Sequence, residues 1–144
     1  SLRRMIAQTH VQFGKAILID CHSMPASVRV AGGSRRPDII IGDRYGASAA
    51  HDLSRAAVSF LSGLGYHVVR NKPYAGGFIT EHYGRPSRGL HALQIEVNRG
   101  LYVDEARLEK TSGFDVLKAD LTEFAGQMMD HVREGLSEDR LAAE

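Results

Sequence analysis

Polar and ionisable side chains follow or overlap four short apolar runs of this sequence. They are Asp20-Cys21-His22-Ser23, Gly42-Asp43-Arg44, Arg70-Asn71, and Glu96 with Asn98-Arg99. In open sheets of alternating strands and helices, ligands bind beyond the carboxyl ends of the strands. We therefore expect these side chains to gather at one edge of a sheet. Loops at strand ends are polar in most proteins, so this pattern alone leaves a purely structural explanation open.

Glu96 is the strongest candidate for a general base. Residues 92–97 alternate between apolar and polar types, so a strand here places Glu96 and Gln94 on the face opposite Ile95. A carboxylate inside an otherwise apolar strand destabilises the fold unless it has a partner or a function. Two roles stay open from the residues alone: a general base, or a member of a structural ion pair with a nearby arginine.

His22 is a candidate metal ligand. On a strand, Asp20 and His22 point to one side and Cys21 to the other, so Cys21 and His22 cannot pair as nucleophile and base. We expect Cys21 to be a small core residue. His131 and Glu134 also have the spacing of a metal-binding pair on a helix, but that stretch is polar, and a solvated helix face explains it better.

Hydrophobic spacing predicts the elements that position these residues. Helices are predicted over residues 2–13, 53–64 and 114–128; Gly14 ends the first, and Ser48 and Gly65 cap the second. Strands are predicted over residues 16–19, 38–42, 66–70 and 92–97. Residues 28–36 are predicted to form a loop, and the tail from Ser137 to fray. The alternation of helix and strand predicts a single domain, α/β in class, with three α/β/α layers around a mostly parallel sheet.

Composition excludes several classes of function. With 43% hydrophobic and 24% charged residues among 144, the chain has the balance of an ordinary globular domain. A net charge of +1 provides no field that favours nucleic acid or an anionic membrane, and no apolar run has the length of a transmembrane helix. The single cysteine fits a reducing compartment, so we expect a cytoplasmic protein.

Four motifs together carry a family resemblance. They are residues 16–25 (AILIDCHSMP), 36–44 (RPDIIIGDR), 73–86 (PYAGGFITEHYGRP) and 89–99 (GLHALQIEVNR). In this order they resemble motifs of the N-formylglutamate amidohydrolase family, and together they are far more specific than any single pattern above. The resemblance implies a fold similar to that of the zinc carboxypeptidases and aspartoacylases, the phosphorylase/hydrolase-like kind.

The resemblance also implies an activity. It implies a zinc-dependent hydrolase that cleaves the formyl amide of N-formyl-L-glutamate to formate and glutamate, a late step of histidine degradation. By the resemblance, His22 is the zinc ligand at a strand end, and Glu96 stands where the family places its general base. Zinc would lower the pKa of a bound water towards about 7. Glu96 would take the proton of that water and pass it to the leaving amine.

Arginine is the side chain suited to bind the two carboxylates of such a substrate. Arg44, Arg85 and Arg99 are the candidates, because each lies in one of the four motifs. Gly76 and Gly77 are candidates for a segment whose backbone approaches the substrate or for the hinge of a lid, with a plain turn as the structural alternative.

Family members are longer at the N-terminus, so the resemblance implies the C-terminal portion of a longer amidohydrolase domain. We expect the 144-residue chain alone to be inactive, with an incomplete zinc site at His22, and prone to self-association through an uncovered sheet edge. Two other functions stay open: a zinc deacylase acting on another N-acyl acidic amino acid, and a non-catalytic module that binds acidic amino acids. Whether the protein forms a homo-oligomer also stays open.

Overall fold

A computed structural model describes residues 1–33 and 35–143, without the side chain of residue 140. The helices are α1 (Leu2–Phe13), α2 (His51–Gly63), α3 (Phe78–Tyr83) and α4 (Gly113–Ala142). The strands are β1 (Ala16–Met24), β2 (Ile39–Gly42), β3 (Val68–Arg70), β4 (Leu90–Asn98), β5 (Val103–Asp104) and β6 (Glu109–Lys110). Each predicted helix and strand is therefore present. Ser34, within the predicted loop 28–36, lies outside the described residues.

The main sheet has the order β1-β4-β2-β3 and is mixed. β1 pairs with β4 in parallel and β2 pairs with β3 in parallel, whereas β2 runs antiparallel to β4. Most of the pairings are thus parallel, as predicted. The expectation that all four strands end at one edge is wrong, because β2 and β3 run opposite to β1 and β4. Arg44 and Asn71 consequently lie at the edge opposite Arg99.

One face of this sheet carries the hydrophobic core. Its apolar residues pack against α2 and α4, and α1 lies along β1. The segment from Ile39 to Ile41 is completely buried, which explains its continuous apolar run. The main buried cluster comprises Ile39, Ile41, Ala49, Leu53, Ala57, Leu61, Leu93, Ile95, Val97, Leu117, Phe124 and Met128. The opposite face carries the polar residues of β1 and β4, with short α3 against it.

The helix ends agree with the two predicted glycine positions but not with the predicted N-cap at Ser48. Gly14 caps α1 in the left-handed conformation, and Gly65, also left-handed, follows the end of α2. Ser48 does not cap α2, which begins at His51 after the N-cap Ala50. The buried hydroxyl of Ser48 instead donates a hydrogen bond to the carbonyl oxygen of Ala92, because this loop lies against the start of β4.

Two further expectations are corrected. The tail from Ser137 does not fray, since α4 continues to Ala142; residue 144 lies outside the described residues. Cys21 is exposed rather than buried in the core. It points to the apolar side of β1, but β1 is an edge strand there and the space towards Phe114 of α4 is an open cavity. Within the described part of the chain, no helix combines the length and apolar character needed to cross a membrane.

Candidate active site

His22 and Glu96 lie side by side on neighbouring strands. The parallel register of β1 and β4 places His22 opposite Glu96 and Asp20 opposite Gln94. Alternate residues of paired strands share a face of the sheet, so these four side chains share the polar face. The structure thus brings together the two residues that the sequence singled out as a metal ligand and a general base. Neither the pairing nor the extension of β1 to Met24 was visible in the local pattern of residues 16–19.

Glu96 is a buried carboxylate, with 8% of the residue exposed. Burial raises its pKa above the ordinary value, and the charge of Asp20 adds to this, whereas His22, a hydrogen bond from Gln94 and the charge of Arg99 oppose it. The Nε2 of Gln94 donates to Oε1 of Glu96 over 2.8 Å. Arg99 pairs with Glu105 instead of Glu96. A buried carboxylate with a raised pKa is suited to accept a proton near neutral pH.

Asp20 and His22 form the part of this site that could hold a metal. Nε2 of His22 lies 2.9 Å from Oδ2 of Asp20, and the His22 side chain is 48% exposed. Imidazole nitrogen and carboxylate oxygen are both ligands of zinc in proteins, and a ligating histidine donates its other ring N–H to a carboxylate, a backbone carbonyl or a water. A catalytic zinc site takes three protein ligands. Within residues 1–33 and 35–143, no group of three histidine, cysteine, aspartate or glutamate side chains is placed to hold an ion. These residues therefore fit part of a zinc site.

Arg99 lies at the same edge of the sheet as His22, directly after β4. Its Nε donates a hydrogen bond to the hydroxyl of Ser23, and its Nη1 donates one to Oε1 of Glu105; both distances are 3.3 Å. The Arg99 side chain remains 40% exposed. Of the three predicted arginines, Arg99 is the one whose charge acts on Glu96.

Arg44 and Arg85 lie together at the opposite edge, where they line a cavity of about 420 Å³. Nη1 of Arg85 donates hydrogen bonds to the carbonyl oxygens of Glu81 and Gly84, and each donor–acceptor distance is 2.6 Å. Nη2 of Arg44 pairs with the carboxylate of Glu81 over 3.3 Å. The volume lies within the range of small-ligand pockets. The structure thus separates the three arginines into a pair and a single residue.

Gly76 and Gly77 link this cavity to Glu96. The N–H of Gly77 donates to Oε1 of Gln94 over 2.9 Å, and Nη1 of Arg44 donates to the carbonyl oxygen of Gly76. Gly76 is in a left-handed conformation at φ 114°, and a Cβ there would collide with the side chain of Thr80. A Cβ on Gly42 would lie 2.7 Å from the backbone of residues 75 and 76. The glycines therefore let this loop lie directly on the sheet.

A buried clamp at the end of β2 was missed by sequence reasoning. Asp43 is completely buried, and its carboxylate pairs with Arg70. The carboxylate also accepts hydrogen bonds from Nδ2 of Asn71 at 2.8 Å and from the N–H of Gly46 at 3.0 Å. Asn71 Oδ1 in turn accepts from the N–H of Asp43. The clamp holds three consecutive left-handed residues, Arg44, Tyr45 and Gly46. Asparagine and glycine tolerate this conformation, which was the available signal at positions 46 and 71.

Curated proteins similar to this chain bear one name. The chain is 37% identical over 101 residues to N-formylglutamate deformylase of Pseudomonas aeruginosa and 34% identical over 106 residues to that of Pseudomonas putida. These matches cover 69% and 73% of the chain but 38% and 40% of the relatives. The chain thus spans about two fifths of the length of these curated relatives.

A solved structure agrees with both the fold and the family. N-formylglutamate amidohydrolase of Ralstonia eutropha superimposes with a TM-score of 0.85 at 31% sequence identity, covering 93% of this chain and 49% of that one. The family model described as N-formylglutamate amidohydrolase matches residues 1–103, a range that contains β1 to β4 with His22 and Glu96. The chain belongs to the N-formylglutamate amidohydrolase family.

Proposed function

We propose that the whole protein is a zinc-dependent hydrolase that cleaves the formyl amide of N-formyl-L-glutamate to formate and glutamate. The observation that carries this proposal is the buried carboxylate of Glu96 directly beside His22 on paired strands. The names of the similar curated proteins support the substrate. In this proposal the reaction serves the degradation of histidine.

Glu96 acts as the general base in this proposal. Its carboxylate takes a proton from the water whose oxygen attacks the formyl carbon, and returns that proton to the nitrogen as the C–N bond breaks. The raised pKa of Glu96 favours both transfers, since a base with a pKa closer to neutral can accept and then release a proton. The hydrogen bond from Gln94 fixes the orientation of the carboxylate.

His22 would be one ligand of the zinc, with Asp20 either as a second ligand or as the group that orients the imidazole ring. Bound zinc supplies a Lewis acid that polarises the carbonyl and acidifies water. A complete site needs further donors besides these two. Asp20 and His22 would hold the metal on the polar face of the sheet, the face that also carries Glu96.

The arginines bind the carboxylates of the substrate in this proposal. Arg99 is placed beside the proposed chemistry, and Arg44 with Arg85 lies across the Gly76-Gly77 loop from it. A bidentate pair between guanidinium and carboxylate combines charge with fixed geometry. The arginine positions therefore favour an acidic substrate over a neutral one.

The proposed role of Glu96 is tested by Glu96→Gln in the full-length protein. Loss of the proton acceptor should lower kcat for N-formylglutamate about 10²- to 10⁴-fold while the far-UV circular dichroism spectrum is unchanged. Glu123→Gln, at an exposed position on α4, is the matched control and should retain activity. Nearly normal turnover by Glu96→Gln would remove Glu96 from the mechanism.

A panel of N-acylated amino acids tests the substrate in the same assay. Preference for another acyl group would favour the deacylase alternative. Absence of hydrolysis in a zinc-loaded protein that still binds acidic amino acids would favour the non-catalytic module.

A further inference from the structure

We propose that the carboxylate of Glu81 pairs with the guanidinium of Arg44 until a carboxylate of the substrate displaces it, so that Glu81 sets the affinity of this cavity for that carboxylate. The inference rests on the proposed function, because it assigns one carboxylate of that acidic substrate to the cavity of Arg44 and Arg85. It adds a residue of α3 to the groups that determine binding.

The two arginines of this cavity are held in different ways. Both bonds from Nη1 of Arg85 go to backbone carbonyl oxygens, of Glu81 and Gly84, so those contacts orient the guanidinium without neutralising its charge. Arg44 has a carbonyl partner, Gly76, and a carboxylate partner, Glu81, each at 3.3 Å. The cavity thus contains two positive charges and the single negative charge of a side chain that belongs to the protein.

The position of Arg44 is fixed by the backbone. Arg44 and Tyr45 have φ values of 53° and 56°, a left-handed conformation that is uncommon for residues with a Cβ. The buried contacts of Asp43 with Asn71 hold this turn, and the N–H of Arg44 donates to the carbonyl oxygen of Ala75 over 2.7 Å. Strained backbone of this kind persists where the surrounding structure determines it, and it is frequent at ligand sites. The backbone of Arg44 is therefore held in place in advance of any ligand.

Glu81, in contrast, is easily displaced. Its side chain is 68% exposed, and its distance of 3.3 Å from Arg44 is long for a charge-assisted hydrogen bond. Exposed ion pairs of this kind contribute little to stability. A ligand carboxylate can bind Arg44 at shorter distance and in bidentate geometry, with Arg85 adding to the attraction. A ligand without a charge has no comparable gain with which to replace Glu81.

The inference is tested with glutarate, a dicarboxylate of the same carbon length as glutamate that cannot be hydrolysed. Isothermal titration calorimetry on the full chain compares the wild type with Glu81→Gln, Arg44→Ala and the double variant. Removing the competing charge should lower the Kd for glutarate about two- to fivefold, the equivalent of a weak exposed ion pair. The gain should vanish in the Arg44→Ala background, because Glu81 acts through Arg44.

Asp130→Asn is the matched control. Asp130 is also 68% exposed and also lies 3.3 Å from an arginine, but on α4. The Asp130→Asn variant should leave the Kd for glutarate unchanged. That result would show that a change of net charge alone does not raise affinity. Glu81→Ala should shift the Kd in the same direction as Glu81→Gln, and circular dichroism verifies that each variant is folded.

Several outcomes would overturn the inference. They are an unchanged or higher Kd in folded Glu81→Gln, a gain that persists without Arg44, and no binding of glutarate by any variant. The proposed function is judged separately by hydrolysis of N-formylglutamate. If hydrolysis is absent while Glu81→Gln improves binding of glutarate, the proposed function fails and the carboxylate site stands. If hydrolysis occurs and Glu81→Gln has no effect on binding, the inference alone fails.

Discussion

Replacing Asp43 tests whether the clamp behind Arg44 holds the fold as the structure indicates. Asp43→Ala removes a completely buried carboxylate that accepts hydrogen bonds from Asn71 and Gly46 and pairs with Arg70. Three donors lose their acceptor in one substitution. The side chain of Arg70 is only 30% exposed, so water replaces the carboxylate incompletely.

The magnitude follows from these contacts. Removing one member of a buried ion pair costs about 3–5 kcal/mol, because the other charge is left uncompensated. The partial exposure of Arg70 places Asp43→Ala near the lower end, about 3 kcal/mol. Asp43→Asn keeps an acceptor oxygen for Asn71 but loses the charge, so about 1–2 kcal/mol is expected. The exposed Asp130, paired with Arg133, should cost less than about 0.5 kcal/mol when replaced by alanine.

Urea denaturation followed by circular dichroism measures these differences, provided that the m-values stay equal. Burial alone would raise the pKa of Asp43, but the hydrogen bonds of the clamp outweigh it and hold the pKa below its ordinary value. A lowered folded-state pKa stabilises the protein above the unfolded-state value and loses this contribution as pH falls through the folded-state pKa. Asp43→Asn should therefore reduce the loss of stability in acid. A cost for Asp43→Ala no larger than that of the Asp130 control would refute the reasoning.

Three further predictions concern the metal, the substrate and pH. His22→Ala should abolish stoichiometric zinc. Full zinc occupancy of the variant, measured by elemental analysis, contradicts the ligand role. Alanine at Arg44, Arg85 or Arg99 should impair kcat/KM for N-formylglutamate more than for N-formylglutamine, and equal losses on both substrates place the selectivity elsewhere. Burial lowers the pKa of His91, whose neutral Nδ1 accepts a hydrogen bond from the N–H of Ala50. The stability that His91 contributes should be complete above its unfolded-state pKa near 6.5 and should be lost as pH falls through the lower folded-state pKa. A pH profile of stability that is unchanged in His91→Asn would argue against this.

Local patterns predicted the elements that depend on local forces. The spacing of apolar residues and Gly14 predicted α1 over its observed length, because a helix is set by its own periodicity and its C-cap. Alternation around Glu96 predicted β4 and its polar face, because side chains alternate along any strand. The position of His22 beside Glu96 agreed with the expectation that both lie at one edge of the sheet.

Features that depend on strand pairing could not be predicted in this way. The antiparallel position of β2 between β4 and β3 is a choice of partner made across the chain, and no local pattern specifies it. The same holds for the pairing of His22 with Glu96, which requires β1 and β4 to be neighbours. Ser48 resembled an N-cap, but its hydroxyl bonds Ala92 because the loop before α2 lies against another strand.

The antiparallel course of β2 has a consequence for the proposed reaction. It returns the chain to the edge where α3 begins, so that Arg44 meets Arg85 there instead of crowding the edge of His22. The polar face between the two edges carries a continuous path of contacts, from Arg44 to Gly76, from Gly77 to Gln94, and from Gln94 to Glu96.

Glu96 and Gln94 lie two residues apart on β4, a separation of about 7 Å along the strand. In the proposed function, recognition of a carboxylate and attack on an amide occur at two positions on the same polar face. In the proposed function, an acidic substrate is held at one end by Arg44, whose backbone turn the clamp holds, and its amide is attacked beside the carboxylate whose burial raises its pKa. Fixing both groups before binding reduces the entropic cost of reaching a reactive geometry. In this proposal, the strained turn at Arg44 serves to hold one of the two groups that contact the substrate.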